Sequence, residues 1–239
     1  MTTVQTVRIE HPPGFLAAVV HLPRKLPCAA VVCCHGLMSR KDSAKHVAVG
    51  EEMSRAGLAV VRFDFSGCGQ SSVEPEGTLV GSRLGDLGRV LDYVSKQTWC
   101  DGRIALLGSS FGGYLALLEA DGGGERIRAA ACWATPFDIV RLGPPAEMLP
   151  EAAGLSRKGF RLGEPDNLGG IGPVRNVLLI QGQEDEVAGW GEAVELYRRL
   201  GDPKKLLLMR SAEHLLLDPG WRALAIRASL EWFFEHGLG

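Results

Sequence analysis

Short runs of apolar residues alternate along the chain with longer amphipathic segments. Six of these runs are continuous in Val, Ile, Leu, Ala and Cys, which is typical of parallel strands covered on both faces. The predicted strands are residues 29–34, 58–63, 103–108, 129–134, 177–181 and 205–209. Residues 4–10 and 15–22 instead alternate between apolar and polar positions around a Pro-Pro-Gly turn, and they predict an antiparallel hairpin.

The segments between the strands have the spacing of amphipathic helices. Helices are predicted over residues 44–55, 82–97, 112–120, 191–200 and 221–236. Alternating strands and helices define an α/β fold, which we expect to have a mostly parallel central sheet of about eight strands flanked by helices. No internal repeat or low-complexity linker interrupts the pattern, so a single domain over residues 1–239 is expected.

Residues 136–173 break this rhythm. Thirteen of these 38 residues are Gly or Pro, too many for long regular helices. The segment lies between two predicted core strands, so we interpret it as an insertion over the sheet. Insertions of this length in compact domains often act as lids. The alternative is a plain irregular connection.

Composition excludes several classes of function. The chain carries 26 Lys and Arg against 28 Asp and Glu, a net charge of −2 that provides no basic surface for nucleic acid. No apolar run reaches membrane-spanning length, and the first residues lack the pattern of a signal peptide, so a cytoplasmic protein is expected.

The six cysteines form no CxxC pair and are predicted to be reduced thiols. No metal motif and no nucleotide-binding glycine motif occurs, so no cofactor or metal is expected.

A candidate nucleophile follows the predicted strand 103–108. The sequence Gly108-Ser109-Ser110-Phe111-Gly112 is a GxSxG pentapeptide placed between a strand and a helix, the context in which this motif presents a serine. Such a sharp turn strains the central serine and exposes its hydroxyl, and it leaves no room for side chains at the flanking glycines. We therefore expect Ser110 to be the nucleophile. The Phe111 N–H lies at a helix N-terminus, where negative charge is favoured.

A serine hydroxyl needs a base, and the base needs an orienting acid. His214 follows the last predicted strand, and Asp185 follows the strand before it. Both should therefore reach the carboxyl edge of the sheet, where α/β proteins place their sites. Asp138, after the predicted strand 129–134, is the alternative acid.

Together these segments resemble the α/β-hydrolase superfamily over nearly the whole chain. The motifs are His35-Gly36-Leu37-Met38, residues 64–71, the turn at Ser110, residues 182–185 and His214, and the chain order serine, acid, histidine is also that of the superfamily. The chain is most similar to small esterases, such as feruloyl and cinnamoyl esterases, and to serine-aminopeptidase-like members. The resemblance implies an oxyanion hole formed by the backbone N–H groups of Leu37 and Phe111. It also implies a structural role for His35.

The expected reaction is cleavage of a small or medium carboxylic ester by water through an acyl-enzyme on Ser110. A peptidase or thioesterase with the same triad is the alternative, and a non-catalytic binding module on this fold is a third reading. Candidate pocket residues are Met38, Phe137, Met148, Phe160 and Trp190. Three basic residues of the insertion either face solvent or bind a substrate carboxylate: Arg157, Lys158 and Arg161. No membrane partner is expected, and the sequence leaves a homo-oligomer open.

The two candidate acids can be distinguished by substitution. We expect Asp185→Asn to lower kcat by a factor on the order of 10⁴, because an amide favours the wrong tautomer of His214. Asp138→Asn should leave kcat within a few-fold of wild type. Steady-state kinetics with a p-nitrophenyl ester checks both variants, and the reverse order of effects would place the acid at Asp138.

Overall fold

The computed structural model describes residues 2–122, 126–142 and 163–239. Eight strands form one sheet in the order β1-β2-β4-β3-β5-β6-β7-β8. Strand β2 pairs antiparallel with β1 on one side and with β4 on the other. All other neighbouring strands are parallel. The predicted α/β fold with a mostly parallel sheet is confirmed. The strands are β1 Thr3–His11, β2 Gly14–Leu22, β3 Cys28–Cys34, β4 Ala59–Phe63, β5 Cys100–Ser109, β6 Ile127–Trp133, β7 Val177–Gly182 and β8 Lys204–Met209.

Among the described residues, five α-helices connect or follow the parallel strands, close to their predicted positions. They are α1 Ala44–Arg55, α2 Leu79–Ser95, α3 Phe111–Gly122, α4 Trp190–Arg199 and α5 Pro219–Phe233. Helix α2 begins three residues before its predicted start because Thr78 caps it, its hydroxyl accepting a hydrogen bond from the Gly81 N–H. Helix α5 begins early for the same reason, since Asp218 accepts from two backbone N–H groups and Pro219 occupies the first turn.

The end of α5 also differs from the prediction. The α-helix stops at Phe233, and a π-helical turn follows over Phe234–Leu238. Gly237 in this turn has a φ of 99°, a left-handed conformation that ends the helical pattern.

The sheet has a hydrophobic core on each face. Helices α2 and α3 contribute to one core, and α1 and α5 contribute to the other. Side chains along β3 alternate between the two, so Cys33 lies in one core and Cys34 in the other, as adjacent residues of a strand must. Because both faces are covered, the carboxyl edge of the parallel strands is the exposed rim at which loops can build a site.

Only the ends of segment 136–173 belong to the described residues. At one end, the Phe137 and Asp138 N–H groups donate to the Glu192 carboxylate of α4, and Asp138 forms an isolated β-bridge with Asn167. Met148, Phe160 and the basic residues at 157, 158 and 161 lie outside the described residues. The lid therefore stays a prediction, and so does the assignment of the whole chain to a single domain.

None of the described helices is long and apolar enough to cross a membrane.

Candidate active site

Ser110 occupies the sharp turn between β5 and α3. Its φ of 55° lies in the left-handed region, which non-glycine residues seldom adopt. The turn is this tight because two glycines allow backbones to touch. A Cβ on Gly108 would lie 2.3 Å from the Gly112 carbonyl oxygen, and one on Gly112 would lie 2.0 Å from the Cys34 carbonyl oxygen. Ser110 thus has the strained, glycine-flanked geometry that the motif predicts.

His214 lies in the loop between β8 and α5 and faces this serine. Its Nε2 is 3.0 Å from Ser110 Oγ, and its Nδ1 is 2.9 Å and 3.0 Å from the two carboxylate oxygens of Asp185. The neighbouring Glu213 holds the loop, because its carboxylate accepts hydrogen bonds from the N–H groups of Leu215 and Leu217. The structure therefore joins the three side chains in one hydrogen-bonded chain.

Asp185 is buried, with 6% of its surface exposed, in the loop after β7. One carboxylate oxygen accepts from the N–H groups of Val187 and Ala188, at 2.9 Å and 2.8 Å, and the other accepts from Gln181 Nε2 at 2.9 Å. Burial by itself raises the pKa of Asp185, but the hydrogen bonds from His214, Ala188 and Val187 outweigh it, so the net pKa is lowered. The carboxylate is therefore ionised at neutral pH.

The alternative acid has a different environment. The Asp138 carboxylate accepts a hydrogen bond of 2.8 Å from the Val140 N–H, in the turn that follows β6. His214 Nδ1 is instead directed at Asp185. The geometry thus favours Asp185 as the partner of the histidine.

The loop after β3 also approaches Ser110, since a Cβ on Gly36 would lie 3.3 Å from the Ser110 Cβ. His35 is buried, its Nδ1 lies 2.8 Å from the Gly36 carbonyl oxygen, and its Nε2 accepts a hydrogen bond from the Phe65 N–H. Burial and the charge of Arg83 lower the pKa of His35 to about 3, so the ring is neutral at neutral pH and Nδ1 carries the proton. His35 is thus engaged in holding the loop.

A cavity of about 660 Å³ opens beside the serine. Its described lining combines apolar side chains with polar and charged ones. The lining residues come from the loop after β3, from α1, from the serine turn and from the loops that carry Asp185 and His214. They are Gly36, Leu37, Met38, Ser39, Lys45, Ser109, Ser110, Glu184, Glu186, Val187, Glu213, His214 and Leu215.

Of the predicted pocket residues that the structure describes, one lines this cavity. Met38 does so and is 42% exposed. Phe137 instead lies beneath the Arg199 guanidinium, 4.9 Å from ring centre to carbon, and Trp190 is half exposed at the start of α4. Neither is part of the described lining of this cavity.

Lys45 is a site residue that the motifs do not reveal. It lines the cavity from the first turn of α1, is only 8% exposed, and donates a hydrogen bond of 2.7 Å to Ser109 Oγ. Burial lowers its pKa to about 8, and the Glu213 and Asp185 carboxylates counteract part of that effect. One signal was present in the sequence: Lys45 precedes the buried Val49 and Met53 at four-residue intervals, on the inner face of the helix.

Neither a cluster of metal ligands nor a reactive thiol is evident in the part of the chain that the structure describes. No three His, Cys, Asp or Glu side chains there lie close enough together to bind a metal ion. All six cysteines are free, and five are buried. Burial raises the pKa of Cys33 and of Cys132 to about 12, so these thiols are protonated at neutral pH.

Comparison with known proteins identifies the family. Residues 29–155, more than half of the chain, match the family model described as alpha/beta hydrolase fold. The chain therefore belongs to this family of α/β hydrolases.

Curated relatives match parts of the chain. Human palmitoyl-protein thioesterase ABHD10, mitochondrial, is 32% identical over 110 residues, which are 46% of this chain and 34% of that protein. The match thus spans little more than a third of that relative's length. The uncharacterized protein YfhR of Escherichia coli K12 is 26% identical over 190 residues, covering 78% of this chain and 63% of that protein.

Solved structures match nearly the whole chain. Mouse alpha/beta hydrolase domain-containing protein 10 superposes with a TM-score of 0.77 at 23% identity, covering 97% of this chain and 99% of that one. Est1E from Butyrivibrio proteoclasticus with ferulic acid bound gives 0.76 at 19% identity, covering 96% and 98%. The esterase domain of a Rhodothermus marinus protein gives 0.75 at 25% identity, covering 99% and 100%. These likenesses establish the fold.

The buried ammonium of Lys45 predicts a specific pH dependence of stability. Between pH 8 and 10.5 the folded protein releases this proton while the unfolded chain still holds it, so the contribution of Lys45 to the free energy of unfolding rises with pH. We expect wild type to gain about 2 kcal/mol relative to Lys45→Met between pH 7.5 and 10. Urea unfolding at several pH values measures the difference.

The exposed Lys25 provides the matched control. The stability difference between wild type and Lys25→Met should stay constant over the same range. Because the buried cysteines titrate equally in all three proteins, their effect cancels in these differences. A pH-independent difference between wild type and Lys45→Met would contradict the assigned ionisation.

Proposed function

We propose that the protein is a serine hydrolase that cleaves a small or medium carboxylic ester through an acyl-enzyme on Ser110. The observation that carries this proposal is the continuous hydrogen-bonded chain from Ser110 Oγ through His214 to Asp185. Two further observations support the proposal. The strained turn presents the serine, and the cavity beside it is large enough for a small ester.

The first step of the proposed reaction is attack by Ser110 on the substrate carbonyl carbon. His214 Nε2 accepts the hydroxyl proton as the new bond between oxygen and carbon forms. Asp185 fixes the tautomer with the proton on Nδ1 and stabilises the imidazolium that results. The lowered pKa of Asp185 keeps that carboxylate charged for this role.

The oxyanion that forms would be bound by the backbone N–H groups of Leu37 and Phe111. Leu37 lies in the loop that faces Ser110, and Phe111 is the first residue of α3, where backbone N–H groups favour negative charge. His214 then gives its proton to the leaving alcohol. A water molecule deprotonated by His214 attacks the acyl-enzyme and releases the carboxylic acid and the free serine.

A thioester is the second candidate substrate, because the curated relatives from mammals are named thioesterases. The same attack expels a thiolate in place of an alkoxide. Met38, Val187 and Leu215 give the cavity an exposed apolar rim suited to an acyl chain.

An amide substrate and a binding module without catalysis are alternatives that the experiment below separates. Cytoplasmic location and oligomeric state remain predictions.

Substitution of the nucleophile tests the proposal. Ser110→Ala should lower kcat by a factor on the order of 10⁴–10⁶, because members of such a triad act as a unit. Hydrolysis is followed with p-nitrophenyl acetate, butyrate and octanoate, with matched acyl thioesters, and with a p-nitroanilide. In parallel, a fluorophosphonate probe should label Ser110 of wild type, as located by mass spectrometry.

Ser95→Ala, an exposed serine on α2, is the matched control and should retain wild-type rate and labelling. Circular dichroism confirms that the variants fold. Residual Ser110→Ala activity above about a tenth of wild type would contradict the mechanism. A wild-type protein that neither labels nor turns over any of these substrates would support the binding module.

A further inference from the structure

The guanidinium of Arg83 lies between the two residues assigned to the oxyanion hole. Arg83 belongs to α2 and is completely buried. Its Nη2 donates a hydrogen bond of 3.1 Å to the Leu37 carbonyl oxygen. The guanidinium carbon also lies 5.3 Å from the centre of the Phe111 ring and 5.1 Å from that of Phe65. One side chain thus contacts both halves of the proposed hole.

Burial of this charge is costly and only partly compensated. Apart from Leu37, the hydrogen-bond acceptor of Arg83 is Cys68 Sγ at 3.2 Å, and Nε and Nη1 have no partner among the described residues. Asp86, one turn further along α2, has its carboxylate engaged by the Ser66 N–H and hydroxyl, both at 2.8 Å. An apolar side chain would fill such a site at lower cost. The contact with Leu37 is therefore the feature that needs an explanation.

Leu37 is anchored on both sides of its Cα. The peptide bond between Gly36 and Leu37 contains both the Gly36 carbonyl and the Leu37 N–H. The oxygen of that carbonyl lies 2.8 Å from His35 Nδ1. In a trans peptide the N–H points away from the carbonyl oxygen, so this contact sets the direction of the N–H. The next peptide, with the Leu37 carbonyl, is held by Arg83. Together the two anchors leave the backbone of Leu37 little freedom to rotate.

We propose that Arg83 is a positioning residue for the oxyanion hole, holding the Leu37 backbone and the Phe111 ring so that both N–H groups converge on the substrate oxygen. Its buried positive charge also favours negative charge on that oxygen. This role rests on the proposed function. It acts on the tetrahedral state rather than on the bound ester, because the oxyanion exists only in the former.

The test is Arg83→Met, which keeps an unbranched apolar stem and removes the guanidinium with its hydrogen bonds and charge. Loss of one oxyanion-hole donor costs a factor of about 10²–10³ in kcat. Since Arg83 acts indirectly, we expect kcat for p-nitrophenyl butyrate to fall by about 10- to 100-fold, with KM within about two-fold. The concentration of active sites is titrated with a fluorophosphonate, so that kcat refers to folded enzyme alone.

A second readout separates positioning from a structural role. Phenylboronic acid forms a tetrahedral anion on a nucleophilic serine, and its affinity should fall by the same factor as kcat. Arg89→Met, an exposed arginine on the same helix, should leave both values unchanged. Arg83→Lys keeps the charge without the planar fork and should give an intermediate loss, and it provides the same measurement if the methionine variant does not fold.

The outcomes are distinguishable. Suppose that the wild-type protein turns over the ester and that a folded Arg83 variant has the same kcat per titrated site. That result would overturn this role and leave the proposed function intact. A variant with reduced stability, wild-type kcat and wild-type boronate affinity would show that Arg83 is structural only. Absence of wild-type turnover and labelling would overturn both proposals.

Discussion

The candidate site depends on one backbone constraint, the left-handed conformation of Ser110 between β5 and α3. A non-glycine residue in this region costs on the order of 1–3 kcal/mol, which the surrounding structure must supply. The turn also depends on the close approach of Gly112 to the end of β3, because any side chain at that glycine would collide with the Cys34 carbonyl. The same contact brings the β3 loop, with Leu37, to the serine. The strained turn and the proposed oxyanion hole are thus products of one packing arrangement.

The acid and the base are held by contacts of a different kind. Asp185 accepts two backbone N–H groups and the amide of Gln181, so its position is set before it meets His214. The loop that carries His214 is fixed in turn by the Glu213 carboxylate, which takes two N–H groups of the same loop. The acid and the base therefore each lie on a loop whose backbone N–H groups donate to a buried or partly buried carboxylate. Such support limits the rearrangement needed when charge develops.

Two buried cations lie on opposite faces of the sheet near the serine. Lys45 reaches the site from α1 and contacts Ser109, while Arg83 reaches it from α2 and contacts Leu37. Neither has a carboxylate as a direct hydrogen-bond partner among the contacts of the described residues, so each retains much of its desolvation cost. Unpaired buried charge is tolerated mainly where function requires it.

Local patterns in the chain are sufficient to predict most of the architecture. Continuous apolar runs revealed the parallel strands. A GxSxG motif placed between a predicted strand and a predicted helix revealed the turn at Ser110. Both signals depend only on near neighbours in the chain. Asp185 and His214 could be named as candidates because each follows a predicted strand, and parallel strands end at a common edge. Helix starts were misplaced by a few residues where a capping side chain, Thr78 or Asp218, extended the helix.

What the tertiary structure alone decided is which side chains share the space around the serine. Phe137 and Trp190 follow the right strands but are not part of the described cavity lining, whereas Lys45 lines the cavity without any motif. Arg83 resembles a misplaced polar residue on an apolar helix face, and its meaning appears only when Leu37 and Phe111 are brought against it. The reason is physical. Periodicity determines which face of an element is buried, but the partner that a buried side chain meets depends on how separate elements pack together.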